Sequence, residues 1–237
     1  MQVNSMRKQL IIGLIFMSFI ANAQFGIFSK DPIINKENFD KQRIHWGYFL
    51  GYNSLDFTFD YLTPTTDIQV QSNSGFNVGI VGNLRISNHI DLRLEPGLYI
   101  TQRNLTYPLI LEEKDKLREV KSSYIFFPLL VKFSSTRIGN VKPYLVGGAS
   151  MALNLGSNEK AQDDNYNNRF RMTKWTPFYE VGFGIDLYFE YFKFSPSIRG
   201  VFGMNDELIR DNNPNSPWTG NIKQMQTRGF FINFTFH

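Results

Sequence analysis

The sequence predicts an all-β protein, an eight-stranded antiparallel transmembrane β-barrel of the outer-membrane type, preceded by a cleaved signal peptide. Three observations carry that prediction. The chain opens on a leader with a cleavage site, its later segments alternate apolar with polar residues, and its connections are short and long in turn.

In the leader, Arg7 and Lys8 precede an apolar run over 10–20 that ends at Ala21-Asn22-Ala23. A positive start, a short apolar stretch and small residues at the cut define a secretory signal peptide, and the run is about half the ~20 residues a spanning helix needs. Residues 1–23 are therefore read as signal peptide, 24–43 as a polar N-terminal arm in the periplasm, and 44–237 as the barrel.

Composition narrows the choice further. The 237 residues hold no cysteine, which excludes disulfide frameworks and thiolate metal sites. Net charge is +4, and removal of Arg7 and Lys8 with the leader lowers it to +2, too little for a nucleic-acid-tracking surface. Aromatics at 16% argue against disorder. A mean hydropathy of −0.26 with one apolar run argues against a bundle of membrane helices.

The eight segments follow in order: 44–53, 76–86, 90–100, 124–133, 142–154, 175–187, 192–202 and 228–236. In 90–100, Leu92, Leu94, Pro96, Leu98 and Ile100 take one face and Asp91, Arg93, Glu95, Gly97 and Tyr99 the other, as alternate strand residues must. The same division recurs down the chain. Phe76, Val78 and Ile80 oppose Asn77 and Gly79; Trp175, Tyr179, Val181 and Phe183 oppose Glu180, Gly182 and Gly184. Charge always sits with the Gly, Ser and Asn face, so the apolar face is read as lipid-facing and the polar face as lumen. Short connections after segments two, four and six and long polar ones between the rest, such as 156–173 and 205–221, match the turns and loops of outer-membrane barrels. Pro96, Pro128, Pro143, Pro177 and Pro196 fit badly, because proline removes a ladder donor; strand ends or bulges are expected there.

The lumen of an eight-stranded barrel is just wide enough for its own side chains. Its inward set holds Arg85, Arg93, Lys132, Lys142, Lys193 and Arg199 against Asp91, Glu95, Glu180 and Asp186. Buried charges must pair, so Arg93, Glu95, Glu180 and Arg199 are expected to form a central network, with Asp186 and Lys193 in the same lumen charge set. Such a network fixes the barrel and leaves no route for diffusive transport.

Catalytic candidates are few. His45, His89 and His237 lie at a strand start, a turn and the terminus, with no metal-ligand spacing. Gly148-Ala-Ser150-Met-Ala152 lacks the last glycine of a nucleophile elbow and lies within a strand. Gly182-Phe-Gly184 lacks the third glycine and the helix of a dinucleotide site. Asp163-Asp164 reads as solvated loop acid. The expectation is no enzyme, no cofactor and no metal. At the other end, Thr227-Arg-Gly-Phe-Phe-Ile-Asn-Phe234 resembles the last-strand signal read by the barrel-assembly machinery, with Phe230, Ile232, Phe234 and Phe236 toward lipid and His237 overhanging.

Together these segments resemble the PorT/SprT family of outer-membrane barrels, within a wider porin-like group. The stretches that carry the resemblance are Asn38-Phe-Asp-Lys41, His45-Trp-Gly-Tyr-Phe-Leu-Gly-Tyr-Asn53, Gly75-Phe-Asn-Val-Gly79, Asp91-Leu-Arg-Leu-Glu-Pro-Gly97, Tyr124-Ile-Phe-Phe-Pro-Leu-Leu-Val-Lys132, Lys142-Pro-Tyr-Leu-Val-Gly-Gly148, Glu180-Val-Gly-Phe-Gly-Ile-Asp186 and Lys193-Phe-Ser-Pro-Ser-Ile-Arg199. Ser197 stands where the resemblance implies an acid. The resemblance implies residence in the cell outer membrane and a part in type IX protein secretion and gliding motility. The lipid bilayer, the barrel-assembly machinery and type IX secretion proteins are then the expected partners. Asn38, Phe39, Asp40 and Lys41 of the arm are expected to make the periplasmic contact. The alternative is a small barrel acting as a surface adhesin or envelope stabiliser through its long loops.

Overall fold

A computed structural model describes residues 33–161 and 169–237, without the side chains of Glu113 and Lys114. The leader, the first part of the arm and Asp163-Asp164 lie outside the described residues. Ten strands form one sheet: β1 (Ile44–Tyr61), β2 (Gln69–Ser72), β3 (Gly75–Arg85), β4 (Ile90–Leu94), β5 (Gly97–Thr106), β6 (Leu117–Ser134), β7 (Val141–Asn154), β8 (Trp175–Tyr188), β9 (Lys193–Gly203) and β10 (Ile222–Phe236). One helical turn, α1 (Glu113–Lys116), sits before β6, and a 3-10 turn (Phe39–Lys41) precedes β1.

The ladder makes eight staves of these ten strands. β2 and β3 are one stave parted at Asn73-Ser74, and β4 and β5 are the next, parted at Glu95-Pro96; β5 pairs with both β2 and β3, and β6 with both β4 and β5. From β6 each stave pairs antiparallel with the next as far as β10. β10 then pairs with β1 from Tyr48↔Phe236 onward, and β1 pairs with β3. The ring is closed, so its backbone groups are satisfied within the sheet as the hydrocarbon region of a bilayer requires. No helix among the described residues is long and apolar enough to cross a membrane; the strands are what cross.

The outer face is the apolar one. Trp46, Tyr48, Leu50, Tyr52, Phe76, Ile80, Leu129, Val131, Phe133, Leu145, Val181 and Phe183 are all exposed there. Ring pairs such as Tyr48–Phe236 (5.4 Å) and Tyr179–Phe202 (4.9 Å) stack on this surface.

Several staves run well past the expected ends. β1 and β6 have 18 residues each, against the 9–11 that span a bilayer. Beyond Tyr52 the outward positions of β1 become Ser54, Asp56, Thr58 and Asp60, while Leu55 and Phe57 point inward and are buried. Glu119 and Lys121 of β6 are likewise outward, and Val120 inward. The extracellular end of the barrel thus leaves the bilayer and follows the ordinary rule of apolar inside and polar outside. The end of the apolar stripe marks the membrane boundary, not the end of the strand.

The prolines find places with little cost. Pro96 stands in the gap between β4 and β5, and Pro128 lies opposite it in mid-β6; Glu95 N donates to the Pro128 carbonyl at 3.3 Å and Ile80 N to that of Pro96 at 3.1 Å. Two missing donors therefore fall at one irregular spot. Pro143, Pro177 and Pro196 occupy the first four positions of β7, β8 and β9.

Candidate functional site

The lumen is the place where unusual chemistry collects, and it is filled from one end to the other. In the middle, Arg199 Nη2 pairs with Glu95 (2.8 Å) and its Nη1 with Glu180 (3.3 Å), while Arg93 Nη1 donates to Glu95 at 3.1 Å and Arg93 Nε to Asn83 at 2.7 Å. The expected four are joined, with Glu95 between two guanidinium groups. Gly182 lies beside Arg199 in the ladder, and its missing side chain leaves the arginine room to lie along the wall.

Toward the periplasm a second set centres on Asp186. Lys132 Nζ donates to it at 2.5 Å, Ser195 Oγ at 2.6 Å, and Lys193 Nζ stands at 3.8 Å. Lys132 also lies 4.0 Å from the Tyr144 ring. Asp186 and Lys193 therefore belong to a cluster separate from the Arg199 network. Arg85 stands at the rim, donating to the Asn88 side chain.

On the extracellular side of the Arg199 network the lumen turns apolar. Phe49, Leu55, Tyr99, Phe126, Phe178 and Phe231 form a dry cluster, with Tyr99 4.6 Å from Phe231 and Phe126 5.3 Å from Phe178. The polar-interior expectation is corrected here. Inward Phe49, Val81, Phe126 and Leu130 are as buried as the charges, so the aromatics divide between a lipid belt and an inner plug. All four fall on the inward phase of their strands' alternation.

Still further out, Arg103 donates to Thr227 Oγ1 (3.1 Å), Ser122 (3.1 Å) and Tyr124 OH (2.8 Å), and lies 3.8 Å over the Phe57 ring. Thr227 passes the bond on, its Oγ1 donating to Glu207 at 2.8 Å and its N–H at 2.7 Å. Glu207 comes from the loop 204–221, expected to be free polar surface. That loop instead turns into the mouth. Glu207, Leu208, Trp218 and Thr219 are all buried, and Trp218 packs with Leu105, Tyr107, Phe170, Met172 and Met225 as a lid. Asp211 accepts from Thr219 Oγ1 at 3.0 Å and pairs with Arg171 at 3.5 Å, tying this loop to the one before it. Burial holds the Glu207 carboxyl up at about 7, with the Thr227 N–H and the Arg103 charge pulling the other way. Arg103, and Arg118 which lies 4.8 Å over the Trp218 ring, could have been found by continuing the alternation past residue 100 and back from 124. Nothing periodic marks Glu207.

The periplasmic end is shut by the arm. The Phe39 ring sits 4.9 Å from His45 and 6.3 Å from His237, with Lys193 Nζ 4.8 Å from its centre. Asp40 accepts from Tyr188 OH at 2.6 Å and lies 3.9 Å from Arg137 and 3.8 Å from Lys142. Backbone contacts hold the approach: Asn140 Nδ2 donates to the Ile33 carbonyl (2.9 Å), and Asn35 bonds Asn140 Oδ1 (2.9 Å) and the Tyr188 carbonyl (3.0 Å). The four arm residues thus separate. Phe39 and Asp40 face the barrel, while Asn38 and Lys41 are exposed and joined to each other at 3.0 Å.

Two further expectations change. His237 does not overhang; it exchanges both backbone bonds with Lys193 (2.9 and 3.0 Å) and turns its ring inward. Its ring then lies 5.0 Å from that of His45, a pair that only barrel closure can bring together. Among the described residues no group of three or more His, Cys, Asp or Glu could hold a metal ion.

A closed, antiparallel, lipid-belted ring with a packed lumen defines the class: a small outer-membrane β-barrel. More particularly, residues 22–208 match the family described as the outer membrane protein beta-barrel domain, and the chain belongs to that family. It resides in the outer membrane, in contact with its lipid. Solved structures similar to it include OprG from Pseudomonas aeruginosa (15% identity, 82% of this chain and 94% of that one, TM-score 0.40). AlkL, determined in DMPC bilayers, shows 12% identity over 88% and 93% with a TM-score of 0.45. Ail of Yersinia pestis shows 10% over 81% and 96% with a TM-score of 0.34. At these values they add no argument to the ladder itself. No curated protein matches the chain.

Proposed function

We propose that the protein is a non-enzymatic outer-membrane component of type IX secretion, required for export or maturation of secreted proteases and adhesins and for gliding motility, and inserted by the barrel-assembly machinery. One observation supports working through the ends and not the pore: the lumen is filled by stacked charged and aromatic layers and shut at both mouths. The resemblance to the PorT/SprT family supplies the particular apparatus. Deleting the gene should abolish secretion of type IX cargo and restoring it in trans should recover it; normal secretion in the deletion strain would sink the proposal.

A second reading, a surface adhesin or envelope stabiliser, is favoured by one feature. Leu62, Leu109 and Leu111 stand exposed on the loops after β1 and β5. Leu109→Asp with Leu111→Asp should then abolish surface attachment while leaving secretion untouched.

A further inference from the structure

The arm occupies the periplasmic mouth in the way a ligand occupies a receptor. Its path is held through Ile33 and Asn35, whereas two side chains make its contacts inside the mouth, an aromatic ring and the carboxylate that follows it. The ring lies among two imidazoles and an ammonium, and the carboxylate meets a phenol hydroxyl and two cations. Of those barrel groups His45, Lys142, Tyr188 and Lys193 lie in strands, His237 is backbone-bonded to Lys193, and Arg137 lies in the short turn before β7, so most of the receptor is carried by the ring itself. Lys36, which turns the chain toward the mouth, is held in the left-handed region at φ 48°, a conformation disfavoured for lysine. Seating the arm therefore carries a cost that displacement would relieve.

Charge points the same way. With Asp40 in place the mouth is partly neutralised. With Asp40 gone, Arg85, Lys142 and Lys193 line a mouth whose other carboxylates, among the described residues, are Asp91 and Asp186, and Asp186 is already bound by Lys132; Arg137 stands beside it, within 3.9 Å of Asp40. A vacated mouth is cationic around an aromatic slot. It would select an incoming acidic group beside a ring, the combination Phe39-Asp40 now supplies. Exposed Ile33, Ile34 and Ile138 flank it and offer apolar surface to the chain that delivers such a pair.

We propose that the periplasmic mouth is a recognition site for an aromatic–acidic pair of residues on a partner protein, and that Phe39-Asp40 is the barrel's own occupant of that site, exchanged when the partner binds. The site stands whichever apparatus the barrel serves. Phe39 and Asp40 then act as a stand-in for the partner and do not themselves contact it.

The test uses the full chain folded in detergent and a fluorescein-labelled peptide reproducing residues 35–42, followed by anisotropy. In the variant Asn35→Ala/Phe39→Ala/Asp40→Ala the resident pair is missing, and the peptide should bind saturably. Wild type should bind it about tenfold or more weaker, because the tethered arm competes at high effective concentration. A peptide with Ala and Asn at the two positions should also lose about tenfold or more, from the missing charge-assisted hydrogen bond and ring. Arg137→Glu, in the turn before β7, should abolish binding in the triple variant. Heat-modifiable migration on gels establishes that each variant is folded. Absence of saturable binding to the folded triple variant, or equal binding of the two peptides, would overturn the proposal and leave the arm a simple stopper.

Discussion

Arg199 is the residue whose removal tests the reading of the lumen most directly. It is the shared cation of Glu95 at 2.8 Å and Glu180 at 3.3 Å, and all three side chains are at most 3% exposed. At an effective dielectric of about 20, those separations correspond to gross attractions of roughly 6 and 5 kcal/mol. Much of that offsets the desolvation of the guanidinium, so the sum overstates the net effect. Arg199→Met keeps the volume but leaves Glu180 without its ion-pair partner, with Ser150 as its remaining polar neighbour, and Glu95 with Arg93 alone. Breaking a buried pair in this one-sided way costs about 3–5 kcal/mol. Equilibrium urea unfolding in detergent micelles, followed by tryptophan fluorescence, should show the loss as a lower midpoint at unchanged slope. Removing the stranded acid as well, in Arg199→Met/Glu180→Gln, should recover a large part of it, so the two substitutions should be strongly non-additive. A single-variant loss below about 1 kcal/mol, or simple additivity, would mean the charges are hydrated and their pairing does not brace the lumen.

Three other outcomes are expected. The Glu207 carboxyl is raised from 4.5 to about 7 when the extracellular lid is closed, so closure favours its protonated form and lid stability falls as pH rises between those values. The difference between pH 4 and pH 8 should approach about 3 kcal/mol; hydrogen exchange over 204–221, corrected for intrinsic rates, should report it, and Glu207→Gln should flatten it, whereas stabilisation toward alkaline pH would contradict the assignment. Gly182→Val places a Cβ against the Ile198 carbonyl oxygen and 2.6 Å from Arg199 Cγ, and overpacking of this kind should lower the unfolding free energy by about 1–3 kcal/mol; an unchanged urea midpoint would show that the ladder position does not need a glycine. Protein reconstituted in planar bilayers should give no regular conductance steps, and steps abolished by heat denaturation would refute the sealed lumen.

How much could be read from residues alone depends on which boundary a residue faces. Where the outer face touches lipid, the contrast between Trp46, Tyr48 or Phe183 and Gly, Asn or Arg neighbours is large, and the eight membrane segments stand out. Once β1 passes Tyr52 the outer residues meet water, Ser54 and Asp56 look like loop, and the remaining length of the strand is lost from view. The charged network was legible because Arg93, Glu95, Glu180 and Arg199 share the inward phase of their strands. The two sealed mouths were not legible. Phe39, Asp40, Glu207 and Trp218 lie in segments without periodicity, and what they touch is decided by closure of the ring. The His45–His237 contact is the extreme case, since the two residues belong to the first and last strands.

That seam between β1 and β10 also sets the order of events during assembly. None of its bonds can form until the last strand has emerged, so β1 must wait with an unpaired edge while Trp46, Tyr48 and Leu50 have no lipid to cover them. Long-range pairing of this kind is slow to form and open to aggregation meanwhile. A nascent chain therefore needs an escort whose grip outlasts the synthesis of all the intervening strands, and the moment of release is dictated by the arrival of 222–236. Substitutions along the seam should accordingly reveal themselves as a longer-lived insertion intermediate before they reveal themselves as a weaker barrel.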